Sequence, residues 1–139
     1  MTGVQTCALP IFRNGDVEAN SATPRDATWQ PIDNTPMHPE YPCAHCINAG
    51  AAAVIIEAVL GSTTIPEVSM VSSTAPGVTH RWTSLDAFCD EVSNARVWAG
   101  FRYRFSTVVG TDMGRRVGGY VVQTAMLPAS QPAFVSGKR

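Results

Sequence analysis

The fold is decided by residues 42–61, which read PCAHCINAGAAAVIIEAVLG. After Pro42 the apolar residues recur at helical spacing, and Gly61 ends the run. The pattern predicts a helix from about Cys43 to Leu60. Its apolar residues cover much of the helix circumference, so we expect this helix to be well buried.

The residues after this helix predict an excursion and then a second helix. Residues 65–81 hold β-branched residues, two prolines and a glycine, which favours a short hairpin or an irregular segment. Thr83 is followed three residues later by Asp86, a spacing that resembles a capping box. The pattern beyond it predicts a helix from about Ser84 to Ala99.

A third helix is predicted from about Thr107 to Gln123. Three of its residues, Gly110, Gly114 and Gly118, are spaced by four and therefore lie along one edge of the helix. Because glycine has no side chain, another helix can approach closely along that edge.

The segment before the first helix, residues 13–42, is rich in proline, which forbids a helix and favours an extended, looping path. We therefore predict an all-α fold. It is a partial helical bundle of about three helices, with a long Pro-rich N-terminal loop and a short irregular or hairpin excursion near residues 65–82. Helices absent from this chain would cover the apolar faces.

The two ends of the chain are expected to lie outside this bundle. Residues 1–11 read MTGVQTCALPI and resemble a translated sequencing-library adapter, so we expect residues 1–12 to be an artefact. Residues 13–127 are then the C-terminal part of a larger domain whose start lies upstream. Residues 128–139 are predicted to form a disordered tail.

Composition argues against nucleic-acid binding and against a membrane span in this chain. The chain has 139 residues, of which 15% are charged and 45% hydrophobic, and its net charge is -1. This balance lacks the basic footprint of a nucleic-acid-binding protein. No apolar run reaches the ~18 residues of a membrane span. The composition leaves the compartment and the oligomeric state open, although a secreted or periplasmic parent is plausible.

Cysteine usage adds one expectation. With Cys7 set aside as part of the adapter-like segment, three cysteines remain, Cys43, Cys46 and Cys89. An odd number in a helical context argues against a disulfide framework.

The helix start at Pro42-Cys43-Ala44-His45-Cys46 is the first candidate for chemistry. A helix N-terminus offers free backbone N–H groups and the positive end of the helix dipole, so it is suited to an anion. His45 titrates near neutral pH and could protonate a leaving oxygen. The alternative is an ordinary capped helix with a partly exposed histidine.

Arg96 is the second candidate, because it lies on the apolar stripe of the second helix. An inward guanidinium cannot lose its charge and needs an anionic partner. A buried ion pair with a carboxylate, or a side chain that extends to the surface, would account for it equally well. The basic and aromatic residues at 100–106 are better explained by a loop that packs its aromatic rings than by nucleic-acid binding.

Two stretches together resemble motifs of a known superfamily. Residues 35–45, TPMHPEYPCAH, resemble a motif that usually reads Pro-Ser-Gly-His, and residues 95–106 resemble Ser-Arg-x5-His-x3-Asp. Residues 112–118 resemble the helix that follows, and residues 13–16 the segment just after a first motif. The chain from 13 to about 123 thus resembles the phosphatidic acid phosphatase type 2 and vanadium-dependent haloperoxidase superfamily.

The resemblance implies a site for phosphate or vanadate on the helix N-terminus. Cys43 and Ala44 match the Ser and Gly that hold the oxyanion, and Arg96 matches the arginine that clamps its charge. His45 matches the acid/base histidine. The resemblance implies vanadate as the possible cofactor of the parent, with no other metal, and a phosphate ester or halide and peroxide as its substrates.

Two family positions are filled by other residues. Arg102 stands where the family has the histidine that attacks phosphorus or ligates vanadium, and Ser106 stands where the family has the aspartate that orients it. Guanidinium has no available lone pair. The Lys and Arg of the first motif are also absent. We therefore expect this chain to be inactive, although its parent is a phosphatase or a haloperoxidase.

Two alternatives remain open. The Cys-x-x-Cys at the helix start favours redox chemistry, or a zinc site drawing on Cys43, Cys46, His38 and Cys89. No βαβ pattern surrounds the pair, and no second close Cys/His pair exists. The other alternative is a non-catalytic protein that binds an oxyanion or a partner.

Overall fold

The computed structural model describes residues 26–125. In chain order the elements are α1 (Ala44–Leu60), β1 (Thr64–Ser72), β2 (Ala75–Ser84), α2 (Leu85–Trp98) and α3 (Arg104–Thr124). The prediction of three helices is confirmed for this part of the chain, but a two-stranded sheet means that the fold is not purely all-α. The predicted adapter-like start, the match at 13–16 and the predicted tail lie outside the described residues.

Local signals set both ends of α1. Cys43 is the N-cap, with extended backbone at φ -64° and ψ 104°, and the preceding Pro42 cannot donate a backbone hydrogen bond. At the other end Gly61 takes the left-handed conformation at φ 69°, and its amide donates to the Glu57 carbonyl. Glycine adopts this conformation without a steric penalty, so the helix stops where its sequence predicts.

The excursion is an antiparallel hairpin of 9 and 10 residues. Most of it is exposed, and Ile65 and Trp82 are the residues that it buries. The Trp82 ring packs edge-on against Phe88 of α2 at 5.3 Å between centroids, and Trp82 Nε1 donates to Glu91 Oε2 at 2.6 Å. The hairpin is therefore anchored to α2 at its base.

The cap of α2 is one residue later than predicted. Ser84, not Thr83, is the N-cap, and its Oγ accepts from the Ala87 amide at 3.3 Å. Ser84 immediately precedes the first helical residue and still has extended backbone, which is the geometry that a capping side chain needs. Asp86 lies in the first turn of the helix. It forms an ion pair with Arg115 of α3.

The glycine edge of α3 packs against α1 as predicted. A Cβ atom on Gly110 would lie 2.6 Å from the Cys43 carbonyl oxygen, and one on Gly118 would lie 2.7 Å from the Ala51 oxygen. A Cβ on Gly114 would collide with the backbone of Ile47. Backbone therefore meets backbone along the crossing, and this contact holds the start of α1 against α3.

The buried core is small. It consists of Ala49, Ala53, Ile65, Leu85 and Cys89, with Phe88 and Val92 packed against it. The expectation that all of α1 is well buried is wrong for its last turns.

Half of the large apolar residues that the structure describes as exposed lie on α1 and α3. Val59 is 68% exposed and Leu60 50% exposed, because the neighbouring elements cover only one side of α1. Tyr120 and Val117 of α3 are 67% and 47% exposed. Within residues 26–125 no helix combines the length and the apolar character needed to cross a membrane.

Candidate functional site

The start of α1 lies between the Pro-rich loop and the start of α3. The Cys43 amide donates to the Ser106 carbonyl at 3.2 Å, and the Cys46 amide donates to Cys43 Sγ at 3.3 Å. The first amides of a helix have no acceptor within the helix. At this helix start those of Ala44 and His45 therefore face outward at exposed positions, at the positive end of the helix dipole.

Cys43 and Cys46 form a disulfide, which corrects the expectation drawn from the odd cysteine count. Residues three apart at a helix start are close enough for a local bridge, with 5.3 Å between the two Cα atoms. The third cysteine, Cys89, is buried in the core, and burial raises the pKa of its thiol. Both bridged residues are 0% exposed, so a partner thiol cannot reach the sulfur atoms. This geometry favours a structural bridge over disulfide exchange.

The residues considered for zinc do not form a metal site. Cys43 and Cys46 are bonded to each other, while Cys89 lies in the core away from the loop that carries His38. No group of three or more potential ligands occurs between residues 26 and 125. The described part of the chain therefore offers no support for the zinc alternative.

Arg96 meets the site from α2. Its guanidinium lies 4.6 Å from the centre of the Phe101 ring. Its Nε and Nη2 atoms are buried, and nothing within residues 26–125 accepts a hydrogen bond from them. Burial lowers the pKa of Arg96, and the nearby charge of Arg102 lowers it further. One alternative from the sequence was a buried ion pair between Arg96 and a carboxylate. Among the described residues Arg96 takes part in no ion pair, since the ion pairs found there join other residues.

A tight turn after α2 brings Arg102 into the same region. Gly100 has φ 77°, and the amides of Phe101 and Arg102 both donate to the Arg96 carbonyl, at 3.1 and 3.2 Å. Only glycine adopts this backbone conformation freely, and here a Cβ would also strike the Trp29 ring. The turn therefore places two arginine side chains on the same side of the bundle.

Arg102 is buried against the Pro-rich loop, with 3% exposed. Its Nη1 donates to the Pro39 carbonyl, and its Nη2 lies 2.7 Å from His38 Nδ1. His38 was considered only as a possible zinc ligand, so its contact with Arg102 is a feature that the sequence did not predict. The two residues are 64 positions apart, and the one signal in the sequence was that His38 lies within the motif-like stretch 35–45.

His45 lies beside this pair. Its ring centroid is 6.2 Å from that of His38. Partial burial lowers the pKa of His45, and the nearby charges of Arg96 and Arg102 lower it further. The neutral imidazole is therefore favoured near neutral pH in the ligand-free protein, and a bound anion would reverse part of that effect.

Ser106 stabilises the loop at the start of α3. Its side chain is 0% exposed, and its Oγ donates to the Glu40 carbonyl at 2.8 Å. The Glu40 carboxylate is 7% exposed and accepts from the Tyr103 amide at 2.9 Å, where its charge also complements the helix dipole of α3. Glu40 was not among the residues that the sequence indicated. These contacts attach the loop to α3 directly below the start of α1.

The structure thus brings Cys43, Ala44, His45, Arg96, Arg102 and Ser106 together around one helix end. A family model described as the VCPO second helical-bundle domain matches residues 12–131. The chain belongs to this family of helical-bundle domains. It therefore lies within the superfamily of vanadium-dependent haloperoxidases and type 2 phosphatidic acid phosphatases that the two motifs indicated.

Solved structures agree with the family match. The chain is similar to a bacterial vanadium-dependent iodoperoxidase, with a TM-score of 0.62 and 30% identity over 70% of this chain and 24% of that one. It also shares its fold with a holo-type bacterial vanadium-dependent chloroperoxidase, with a TM-score of 0.60 and 17% identity over 71% and 23% of the two chains. This chain spans about a quarter of the length of these structures. No curated protein sequence matches it.

Proposed function

We propose that this haloperoxidase-like domain binds a tetrahedral oxyanion, phosphate or vanadate, at the N-terminus of α1 and does not itself turn over a substrate. The observation that carries the proposal is the state of Arg96. Its guanidinium has buried N–H groups without an acceptor between residues 26 and 125, beside a second guanidinium and a helix N-terminus. Buried cations are normally paired, so this arrangement favours an anion as the missing partner.

The donors around this point suit an oxyanion. The outward amides of Ala44 and His45 would hold two oxygens, as the corresponding residues of the family motif imply. Arg96 would offset the negative charge, and neutral His45 would donate or accept a proton at a ligand oxygen. The disulfide leaves Cys43 without a thiol hydrogen, so its contribution would be to hold the helix end in place.

Vanadate fits this donor set as an oxyanion but lacks its covalent ligand. When bound in a complete site of this family, vanadate supplies the activation of peroxide for halide oxidation. In this chain Arg102 occupies the position of the histidine ligand, and a guanidinium offers no lone pair. A phosphatase of this family would need a histidine at the same position as its nucleophile, and a guanidinium cannot attack phosphorus. We therefore infer binding without catalysis.

The parent activity is a separate proposal. The matched structures are a vanadium-dependent iodoperoxidase and chloroperoxidase, and this favours a haloperoxidase over a phosphatase as the parent. Such a parent would use halide and peroxide as substrates and vanadate as cofactor.

Thermal or urea unfolding of the 139-residue chain at micromolar concentration, with increasing sulfate, tests the binding. A ligand at 100 times its Kd stabilises a protein by about 2.7 kcal/mol. We expect Arg96→Gln to weaken sulfate binding about tenfold or more, because it removes hydrogen bonds from a charged donor. The matched control is Arg81→Gln, an exposed arginine paired with Glu67 on the hairpin. Since sulfate also stabilises proteins non-specifically, only the difference between the two variants counts.

Two results would contradict the proposal. Equal sulfate stabilisation of Arg96→Gln and Arg81→Gln would exclude the oxyanion site. Vanadate-dependent oxidation of iodide by hydrogen peroxide, with the unmodified chain, would exclude the absence of catalysis.

A further inference from the structure

The contact between Arg102 and His38 fixes the hydrogen-bonding state of the histidine ring. A guanidinium can only donate, so His38 Nδ1, at 2.7 Å from Arg102 Nη2, must accept and cannot carry a hydrogen. The Pro39 carbonyl lies 3.2 Å from the same nitrogen and would favour the opposite tautomer. That carbonyl already accepts from Arg102 Nη1, and the contact with the permanently protonated guanidinium is the shorter one.

The consequence concerns the other ring nitrogen. In a neutral imidazole one nitrogen donates and the other accepts. With Nδ1 held as the acceptor, Nε2 of His38 carries the hydrogen and is the nitrogen available to a ligand. The ring lies 6.2 Å from that of His45, so this donor belongs to the same cluster as the proposed oxyanion site.

We propose that Arg102 makes His38 a hydrogen-bond donor of the oxyanion site by holding it as the Nε2–H tautomer. This inference rests on the proposed function. Arg96, Arg102, the first amides of α1 and His38 Nε2–H are all donors, while the buried Glu40 carboxylate is engaged by the Tyr103 amide. His38 Nε2–H therefore adds one more hydrogen-bond donor to the groups around the proposed oxyanion.

The same geometry explains why His38 does not replace the histidine that this chain lacks at position 102. A nucleophile or a vanadium ligand needs a nitrogen lone pair facing the ligand. In the Nε2–H tautomer the one lone pair faces Arg102 instead. His38 is thus a binding residue rather than a substitute catalytic one.

Nitrogen chemical shifts of the histidine rings in the ¹⁵N-labelled 139-residue chain test the tautomer directly. We expect His38 to show an unprotonated Nδ1 and a protonated Nε2. His80 is an internal control of opposite type, because its Nδ1 contacts the Glu91 carboxylate and must carry a hydrogen. Arg102→Met should shift His38 toward the Nδ1–H tautomer, which the freed Pro39 carbonyl favours, and leave His80 unchanged.

Binding of sulfate to position-38 variants tests the consequence. His38→Leu should weaken sulfate binding about tenfold, the effect of losing one hydrogen bond to a charged group. His38→Gln should retain most of the affinity, because its amide oxygen can accept from Arg102 while its nitrogen donates to the anion. Because His38→Leu also removes the acceptor of Arg102 Nη2, the unfolding free energy of each variant is measured without sulfate as well, and only a loss of sulfate affinity in a folded variant counts.

The outcomes separate this inference from the proposed function. No sulfate binding by the unmodified chain would overturn the proposed function and, with it, the binding role of His38. Sulfate binding that depends on Arg96 but is unchanged in His38→Leu would overturn this inference alone. A hydrogen on His38 Nδ1 in the unmodified chain would also overturn it, whether or not Arg102→Met folds.

Discussion

Replacing Gly114 by alanine should destabilise the protein because a methyl group has no room at the α1–α3 crossing. Its Cβ would lie 2.8 Å from the Ile47 carbonyl carbon and 2.9 Å from the Ile47 Cα. Both are backbone atoms of a helix and cannot move aside singly, so the two helices would have to separate. Overpacking of this kind costs about 1–3 kcal/mol, occasionally more.

A second substitution on the same helix isolates the packing contribution. Gly119 lies further along α3, and nothing lies within 4 Å of a Cβ built on it. Alanine is favoured over glycine by about 0.8–1.0 kcal/mol within a helix, and this gain applies to both positions. We therefore expect Gly119→Ala to stabilise the protein by up to about 1 kcal/mol. Gly114→Ala should be less stable than Gly119→Ala by about 1–3 kcal/mol.

Urea unfolding followed by helical circular dichroism measures this difference. In a parallel thermal melt, each kcal/mol should shift the Tm by roughly 2–8 °C. Equal stability of Gly114→Ala and Gly119→Ala would refute the close backbone contact between α1 and α3. It would also remove the main support for the position of the helix end that carries the proposed site.

Three further outcomes are expected. First, the lowered pKa of His45 means that the unfolded chain binds its proton more readily. The free energy of unfolding should therefore fall as the pH drops below about 6.5 toward the folded-state pKa. Urea unfolding between about pH 5 and 8 measures this, and an unchanged pH dependence in His45→Gln would contradict it. Second, Glu91→Ala should lower the free energy of unfolding by about 1–3 kcal/mol, because it leaves Trp82 Nε1 without its acceptor. It should also speed amide hydrogen exchange in the hairpin more than in α3. Equal hairpin protection in Glu91→Ala and the unmodified chain would exclude this anchor. Third, the exposed side chains of Val59 and Tyr120 should make the chain self-associate. Val59→Lys should therefore lower the sedimentation coefficient at high concentration. An unmodified chain that stays monomeric would contradict this expectation.

The motif-like stretches and the helical spacing predicted residues that lie around the start of α1, and the roles of these residues remain proposals. Arg96 was placed on the inner face of α2 by its spacing from Val92 and Phe88, and its guanidinium is indeed buried in part. The contacts of Arg102 were not predictable, because they depend on a glycine turn and on a loop 63 residues earlier in the chain.

Local sequence determined the helices of this protein. The end of α1 at Gly61 and the glycine edge of α3 depend on the conformational freedom and the small size of glycine, and both are properties of neighbouring residues. Only the tertiary structure decided the rest. Ser84 became the cap because the hairpin ends there. His38 became a donor because folding brings it to a guanidinium that can never accept. Interactions between residues far apart in sequence leave no periodic signal, and for this reason the spacing of residues could not predict them.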